Sequence, residues 1–119
     1  QPLVRAERAL IVESDFALED GVWLEPFPGH TPGNVAINLK SRGQRGVFSG
    51  DILHSPLQLA CPKLYSIACH DPQASVASRE RLIGQHCDTG NLVMPAHFLA
   101  PSAGRIVSRP DGFAFVDAT

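Results

Sequence analysis

Three short segments of the sequence place a histidine or an aspartate where a predicted strand gives way to a loop. His30 lies between two Pro-Gly turns in residues 28–33, Asp51 directly follows an apolar strand-like run, and His97 follows the apolar residues 92–94. Because glycine permits unusual backbone dihedrals and proline fixes φ, the loop around His30 is expected to be stiff. A carboxylate at the end of an apolar strand costs desolvation unless it meets a cation or several donors. Taken singly, the three residues also fit ordinary roles in a turn or at the edge of the core.

The same residues form a stronger pattern when they are taken together. Two imidazoles and one carboxylate follow three different predicted strands, which would bring them to one edge of a sheet. Histidine and aspartate make up the mixed nitrogen and oxygen ligand set that zinc or iron accepts. The pattern therefore predicts that His30, Asp51 and His97 converge on a metal site.

The elements that must position these residues are mainly short strands. Residues 8–13 and 16–26 contain β-type runs, and residues 19–21 are typical of a tight hairpin turn. The pattern of apolar residues and turn residues predicts the remaining strands as well. These are residues 35–39, 46–50 and 91–95, followed by a terminal hairpin of residues 104–107 and 112–116.

A single substantial helix is predicted over residues 73–85. Asp71 can cap its first turn, and Pro72 suits its start. Its expected apolar face comprises Ala74, Val76, Ala77, Leu82 and Ile83. The fold class predicted from these elements is α/β, with mostly antiparallel strands and one main helix.

Composition limits the function classes. The 119 residues are 44% hydrophobic and 18% charged, which is typical of one globular domain, and the formal net charge of −2 gives no basis for binding nucleic acid. No stretch is apolar enough to suggest a membrane span. The sequence begins without a methionine or a secretory signal, so we expect it to be part of a longer protein. The three cysteines, Cys61, Cys69 and Cys87, form no CxxC pair. We expect free thiols and a cytoplasmic location.

The sequence resembles the metallo-β-lactamase-fold hydrolases. Residues 28–33 (PGHTPG), 49–51 (SGD) and 95–98 (PAHF) match the later metal motifs of that family in order. Further segments are similar to the branch that contains lactonase-like and organophosphate-hydrolase-like members. These segments are residues 50–58 (GDILHSPLQ), 71–72 (DP) and 101–106 (PSAGRI).

The resemblance implies that residues 1–119 form one partial domain, the carboxy-terminal half of an αββα sandwich. It also implies a centre of two divalent ions, expected to be zinc, in which His30 binds one ion, His97 binds the other, and Asp51 bridges them and takes part in catalysis. A hydroxide held by the two ions would hydrolyse an ester, a lactone or a phosphotriester. His54 would face the substrate or contact the metal ligands, although ordinary polar packing also explains it.

One departure from the family pattern limits these expectations. The first metal motif, His-x-His-x-Asp-His, is absent, and no histidine precedes His30. Each ion would then keep two protein ligands, whereas catalytic zinc usually has at least three. We therefore expect the chain alone to bind metal weakly and to catalyse poorly.

Other functions remain to be weighed. A non-catalytic remnant could act as a self-associating or partner-binding module, because half of the sandwich would leave an apolar sheet surface near Trp23, Val35, Ile37 and Val47 uncovered. This predicts a homo-oligomer or association with the missing half. The hydrolase hypothesis, by contrast, predicts a small molecule as the substrate. A serine hydrolase is disfavoured, since Ser49 is not placed as in G-x-S-x-G. Cys69 is expected to pack before the helix.

Overall fold

The computed structural model describes residues 2–118, and its strands form one seven-stranded sheet. The order of the strands across the sheet is their order along the chain. The strands are β1 (Ala17–Glu19), β2 (Val22–Pro26), β3 (Val35–Ser41), β4 (Gln44–Gly50), β5 (Leu92–Pro95), β6 (Gly104–Arg109) and β7 (Gly112–Asp117). The helices are α1 (Pro2–Arg5), α2 (Leu57–Ala60) and α3 (Pro72–His86).

One pair of neighbouring strands differs from the others in direction. β4 and β5 are parallel, with Val47 opposite Val93, whereas the other five neighbouring pairs are antiparallel. Parallel neighbours need a long crossover, which here contains α2 and α3. The carboxyl ends of β4 and β5 therefore lie side by side, and Asp51 and His97 follow them.

The core lies between α3 and one face of the sheet. Leu82 and Ile83 of α3 pack in a single apolar cluster with Val47, Val93 and Ile106 from three adjacent strands. Neighbouring residues along a strand point to opposite faces. The register therefore places Ile37, Phe48 and Met94 side by side on the other face, in the adjacent strands β3, β4 and β5. Ile37 is 37% exposed and Phe48 is 44% exposed. This open face is therefore apolar and uncovered by the residues that the structure describes.

The expected set of uncovered sheet residues is wrong in part. Val47 is fully buried against the helix, and Trp23 lies on the same face as Asn38 and Val47. Val35 and Ile37 lie on the open face, as expected. Since adjacent strand residues face opposite sides, choosing Val47 rather than Phe48 selects the wrong face.

Most of the predicted elements are confirmed. The hairpin of β1 and β2, the strands β3 to β5, and the terminal hairpin of β6 and β7 are all present. α3 begins as expected, because the Ala74 amide donates to the Asp71 side chain over 2.9 Å.

The predicted strand in residues 8–13 is wrong. This segment is irregular, and Leu10 and Ile11 are 79% and 84% exposed. β1 is the edge of the sheet and contacts only β2, so the segment has no neighbouring strand among residues 2–118. An apolar run without a partner strand or a covering layer has no reason to adopt strand geometry.

The expected apolar face of α3 also needs correction. Its buried residues recur every three to four positions, but they include polar and charged side chains, and Ala77 is exposed. They are Ser75, Ser78, Arg79, Leu82, Ile83 and His86. None of the helices in residues 2–118 combines the length and apolarity that crossing a bilayer requires.

Candidate metal centre

The loop that contains His30 connects β2 to β3 and lies against the first turn of α3. Gly29 has φ +138°, and a Cβ atom at this position would lie 2.2 Å from the amide nitrogen of Ser75. The His70 amide donates to the His30 carbonyl over 3.0 Å, and the Asp71 amide donates to the Gly29 carbonyl over 2.9 Å. The loop is therefore attached at adjacent residues to the segment that enters α3.

Asp51 begins the loop that follows β4, and a buried arginine fixes this loop from α3. The Nε of Arg79 donates to the Ile52 carbonyl over 3.2 Å, and its Nη1 donates to the carbonyls of Pro62 and Leu64. Arg79 is fully buried, and burial lowers its pKa. Since an unpaired buried cation is costly, these carbonyls are the groups that make its burial tolerable. One side chain thus joins the segment that follows β4 to the segment that follows α2 (Leu57–Ala60).

His54 lies in the same loop, and a glutamine of α2 binds its backbone amide. The His54 amide donates to Gln58 Oε1 over 2.8 Å, and Gln58 Nε2 donates to the Leu64 carbonyl over 3.3 Å. Gln58 therefore links His54 to Leu64, in addition to the contacts that Arg79 makes with this loop.

Three imidazoles meet around the carboxylate of Asp51. His97 Nε2 lies 2.7 Å from Asp51 Oδ1, which is a hydrogen-bond distance. His54 Nε2 is 3.8 Å from the same oxygen, and His30 Nε2 is 3.9 Å from Oδ2. The His54 ring lies 4.9 Å from each of the other two rings and is stacked on His97 with an interplanar angle of 10°. Both carboxylate oxygens thus face imidazole nitrogens, and each oxygen faces a different part of the cluster.

The donor set is suited to a divalent metal ion. Ligand atoms of His30, Asp51 and His54 all lie within 4.8 Å of one another. Zinc binds nitrogen and oxygen ligands at about 2.0–2.2 Å, so two ligand atoms 3.8 or 3.9 Å apart can contact one ion, whereas they are too far apart to hydrogen-bond each other. The residues present therefore fit a bound cation.

Burial favours the neutral, metal-binding form of His54. Burial lowers the pKa of this imidazole, and the nearby His30 lowers it further, while Asp51 acts in the opposite direction. The Nδ1 atom is buried and has no hydrogen-bond partner among residues 2–118. A neutral imidazole is the form that can bind a metal ion or accept a proton.

A cavity of about 430 Å³ adjoins the cluster. His54 and His97 are among the residues that line it, and its remaining lining is largely apolar, with Phe98 and Phe115 in edge-to-face contact. A small organic molecule in this cavity would therefore contact two of the three clustered imidazoles.

The structure brings together all four residues that the sequence singled out. His30, Asp51 and His97 lie in one cluster, and His54 lies among the possible ligand atoms rather than behind them. Two residues with structural roles at the site were missed. Arg79 falls at helical spacing from Leu82 and Ile83, and this spacing is a signal that its side chain faces inward. Cys69 was expected only to pack, yet its Sγ lies 3.8 Å from His30 Nδ1.

No protein-family model and no curated protein matches the sequence. Solved structures do match. The hydrolase AbOPH of the β-lactamase superfamily has a TM-score of 0.91 and 24% identity. The match covers 99% of this chain and 41% of the AbOPH chain. AidC, a dizinc quorum-quenching lactonase, has a TM-score of 0.85 and 21% identity, covering 96% and 39%. A probable metal-dependent hydrolase from Staphylococcus aureus has a TM-score of 0.77 and 20% identity, covering 93% and 40%.

These likenesses confirm the expected fold class. The chain has part of the metallo-β-lactamase fold, and it spans about two fifths of the length of each of these three proteins.

Proposed function

We propose that this chain, as part of a metallo-β-lactamase fold, provides one section of the metal centre of a metal-dependent hydrolase. The observation that supports the proposal best is the convergence of three imidazoles on the two oxygens of Asp51. Neighbours in structure that are hydrolases add to it. The proposed substrates are small molecules with an ester, lactone or phosphotriester bond.

The proposed roles follow the positions of the nitrogen atoms. His30 faces Oδ2 of Asp51 and His97 faces Oδ1, and these three side chains would hold the two divalent ions. The bound ions, for which we propose zinc, would lower the pKa of water and so activate it as a nucleophile near neutral pH. His54 lies where it can complete the ligand set or contact the substrate in the adjoining cavity.

The chain itself provides orientation and partial exclusion of water. Arg79 and Gln58 fix the loop that contains Asp51 and His54, and this limits the positions that both side chains can adopt. The apolar lining around Phe98 removes water from one side of the substrate. Such fixed groups need little reorganisation during the reaction.

The metal-binding part of the proposal is tested by titrating the metal-free chain with Zn²⁺. We expect measurable binding by the wild-type chain, weakened at least tenfold in D51N, because the amide lacks the bridging charge. The matched control is D20N, since Asp20 is an exposed aspartate in the β1–β2 turn. Equal affinity of D51N and wild type would remove Asp51 from the site, and unchanged affinity of H97A would remove His97.

The hydrolytic part is tested with a nitrophenyl ester, a homoserine lactone and an aryl phosphotriester. We expect slow turnover by the zinc-loaded chain alone and faster turnover when a polypeptide with the His-x-His-x-Asp-His motif is supplied. Zinc binding without any turnover in either case would contradict a hydrolase and favour the non-catalytic remnant.

We also propose that the open face of the sheet is covered by a second protein surface. Ile37 and Phe48 are apolar, exposed and adjacent on this face, which supports association with another part of the same protein or with a second copy.

The net charge of −2 speaks against a nucleic-acid partner. The cytoplasmic location stays a prediction, and the three free thiols agree with it.

A further inference from the structure

Cys69 contacts the proposed ligand His30 from the side opposite the cluster. It lies in the segment before α3, and only 9% of it is exposed. Its Sγ is 3.8 Å from His30 Nδ1 and 3.5 Å from the hydroxyl oxygen of Ser75, which is itself buried. A buried thiol with two polar neighbours has a more specific environment than packing alone requires.

The hydrogen-bond geometry gives this contact a direction. The thiol has one hydrogen, and it donates to Ser75 Oγ. The sulfur is then left as the acceptor for the Nδ1–H of His30. At the other end of the ring, Nε2 lies 3.9 Å from Asp51 Oδ2, which is too far for an N–H···O hydrogen bond. Neither contact therefore calls for a proton on Nε2.

We propose that Cys69 is a positioning residue that holds His30 in the Nδ1–H tautomer, with an unprotonated Nε2 directed at Asp51. The use of this tautomer for metal binding rests on the proposed function, because a ligating nitrogen must be unprotonated. The tautomer itself is a property of the metal-free chain. The partner of the non-ligating nitrogen commonly fixes both the tautomer and the ring orientation of a metal-binding histidine.

The backbone around Cys69 reinforces this role. The next two residues, His70 and Asp71, donate their amides to the carbonyls of His30 and Gly29. The thiol and the imidazole therefore extend from two segments that are already joined by backbone hydrogen bonds.

The tautomer is measured directly by long-range proton–nitrogen NMR of ¹⁵N-histidine-labelled, metal-free chain at about pH 8, where imidazoles of ordinary pKa are neutral. We expect His30 to be the Nδ1–H tautomer in the wild type and in C69S, because a serine oxygen also accepts a hydrogen bond. In C69A and C69V we expect a shift towards the Nε2–H tautomer that free histidine prefers in water. The control is C61S, which replaces an exposed free cysteine.

Each result decides the proposal. An Nε2–H tautomer in the wild-type chain would overturn it, whether or not the variants fold. An unchanged Nδ1–H tautomer in folded C69A and C69V would also overturn it. If the thiol only filled space, C69V would preserve the tautomer better than C69S, which is the reverse of the expected order.

Zinc titration provides the second readout. We expect C69A and C69V to bind Zn²⁺ about 10–100-fold more weakly, as is typical when the partner of a ligating histidine is removed, and C69S to recover most of the affinity. Because the tautomer is read without metal, the two proposals can fail separately. A wild-type chain with the Nδ1–H tautomer and no zinc affinity would refute only the metal site.

Discussion

At the scale of single residues, a buried histidine makes the stability of the chain depend on pH. His86 ends α3 and is 6% exposed, with Nδ1 3.3 Å from Asn91 Nδ2. Burial lowers its pKa, Glu25 opposes this effect, and Arg45 adds to it. His86 therefore binds a proton less readily in the folded chain than in the unfolded chain, where an imidazole is protonated below about pH 6.5. The free energy of unfolding must fall as the pH drops from that value towards the pKa of the folded state.

We expect H86Q to lose less stability than the wild type between about pH 7.5 and about pH 5.5, as measured by urea unfolding at each pH. Some dependence will persist in H86Q, because the pKa of His54 is lowered too. The control is H70Q, which replaces an exposed histidine and should follow the wild-type curve. Parallel curves for H86Q and wild type would show that His86 is not responsible.

At the scale of elements, the contact between the His30 loop and α3 depends on one glycine. A side chain at Gly29 would collide with the backbone of Ser75, and its φ of +138° is strained for any other residue. We expect G29A to lower the free energy of unfolding by on the order of 2 kcal/mol and to weaken zinc binding, because His30 would move with the loop. Urea unfolding and zinc titration measure the two effects.

The same loop offers a matched control for this substitution. Gly33 has no atom within 4 Å of its would-be Cβ, and its φ is not in the left-handed region. G33A should therefore change stability and zinc affinity little. Equal losses in G29A and G33A would mean that general loop flexibility, rather than the close approach to α3, determines the position of His30.

At the scale of the whole molecule, the two faces of the sheet are unequal. One face is covered by α3, while the other exposes Ile37 and Phe48. We expect the isolated chain to self-associate at micromolar concentration, and F48K to shift it to the monomer, as measured by light scattering and sedimentation. I67K is the control, because Ile67 is fully exposed but lies outside the sheet. A strictly monomeric wild type would contradict covering by a second copy and would leave another part of the same protein as the proposed covering surface.

Residue types and their positions after predicted strands were enough to predict that His30, Asp51 and His97 meet. His54 was placed near them only by the resemblance to a known family. Sequence alone could not predict Cys69 as their neighbour, because its contact with His30 joins residues 39 positions apart. The covered face was mistaken at Val47 for a related reason. Strand periodicity separates Val47 from Phe48, but only the helix that packs on the sheet decides which of them is buried.

Longer-range context also explains the two errors in the elements. Residues 8–13 have a strand-like composition but no strand beside them in the described chain. Strand propensity alone does not form a strand without a neighbouring strand to pair with. Arg79 was left out of the buried face of α3 because a charge normally points to water. Its three carbonyl partners belong to the crossover loop, which no local pattern connects to the helix.

The parallel pairing of β4 with β5 has a consequence for the time course of folding. Asp51 and His97 are 46 residues apart, and they become neighbours only after the crossover has closed. Closing so long a loop costs entropy before any contact is gained, so we expect this pairing to form late. The local hairpins β3–β4 and β6–β7, on either side of this pair, can form first. The proposed ligand atoms are therefore expected to come together late, and a cation that arrives early would meet a chain in which Asp51 and His97 are still apart.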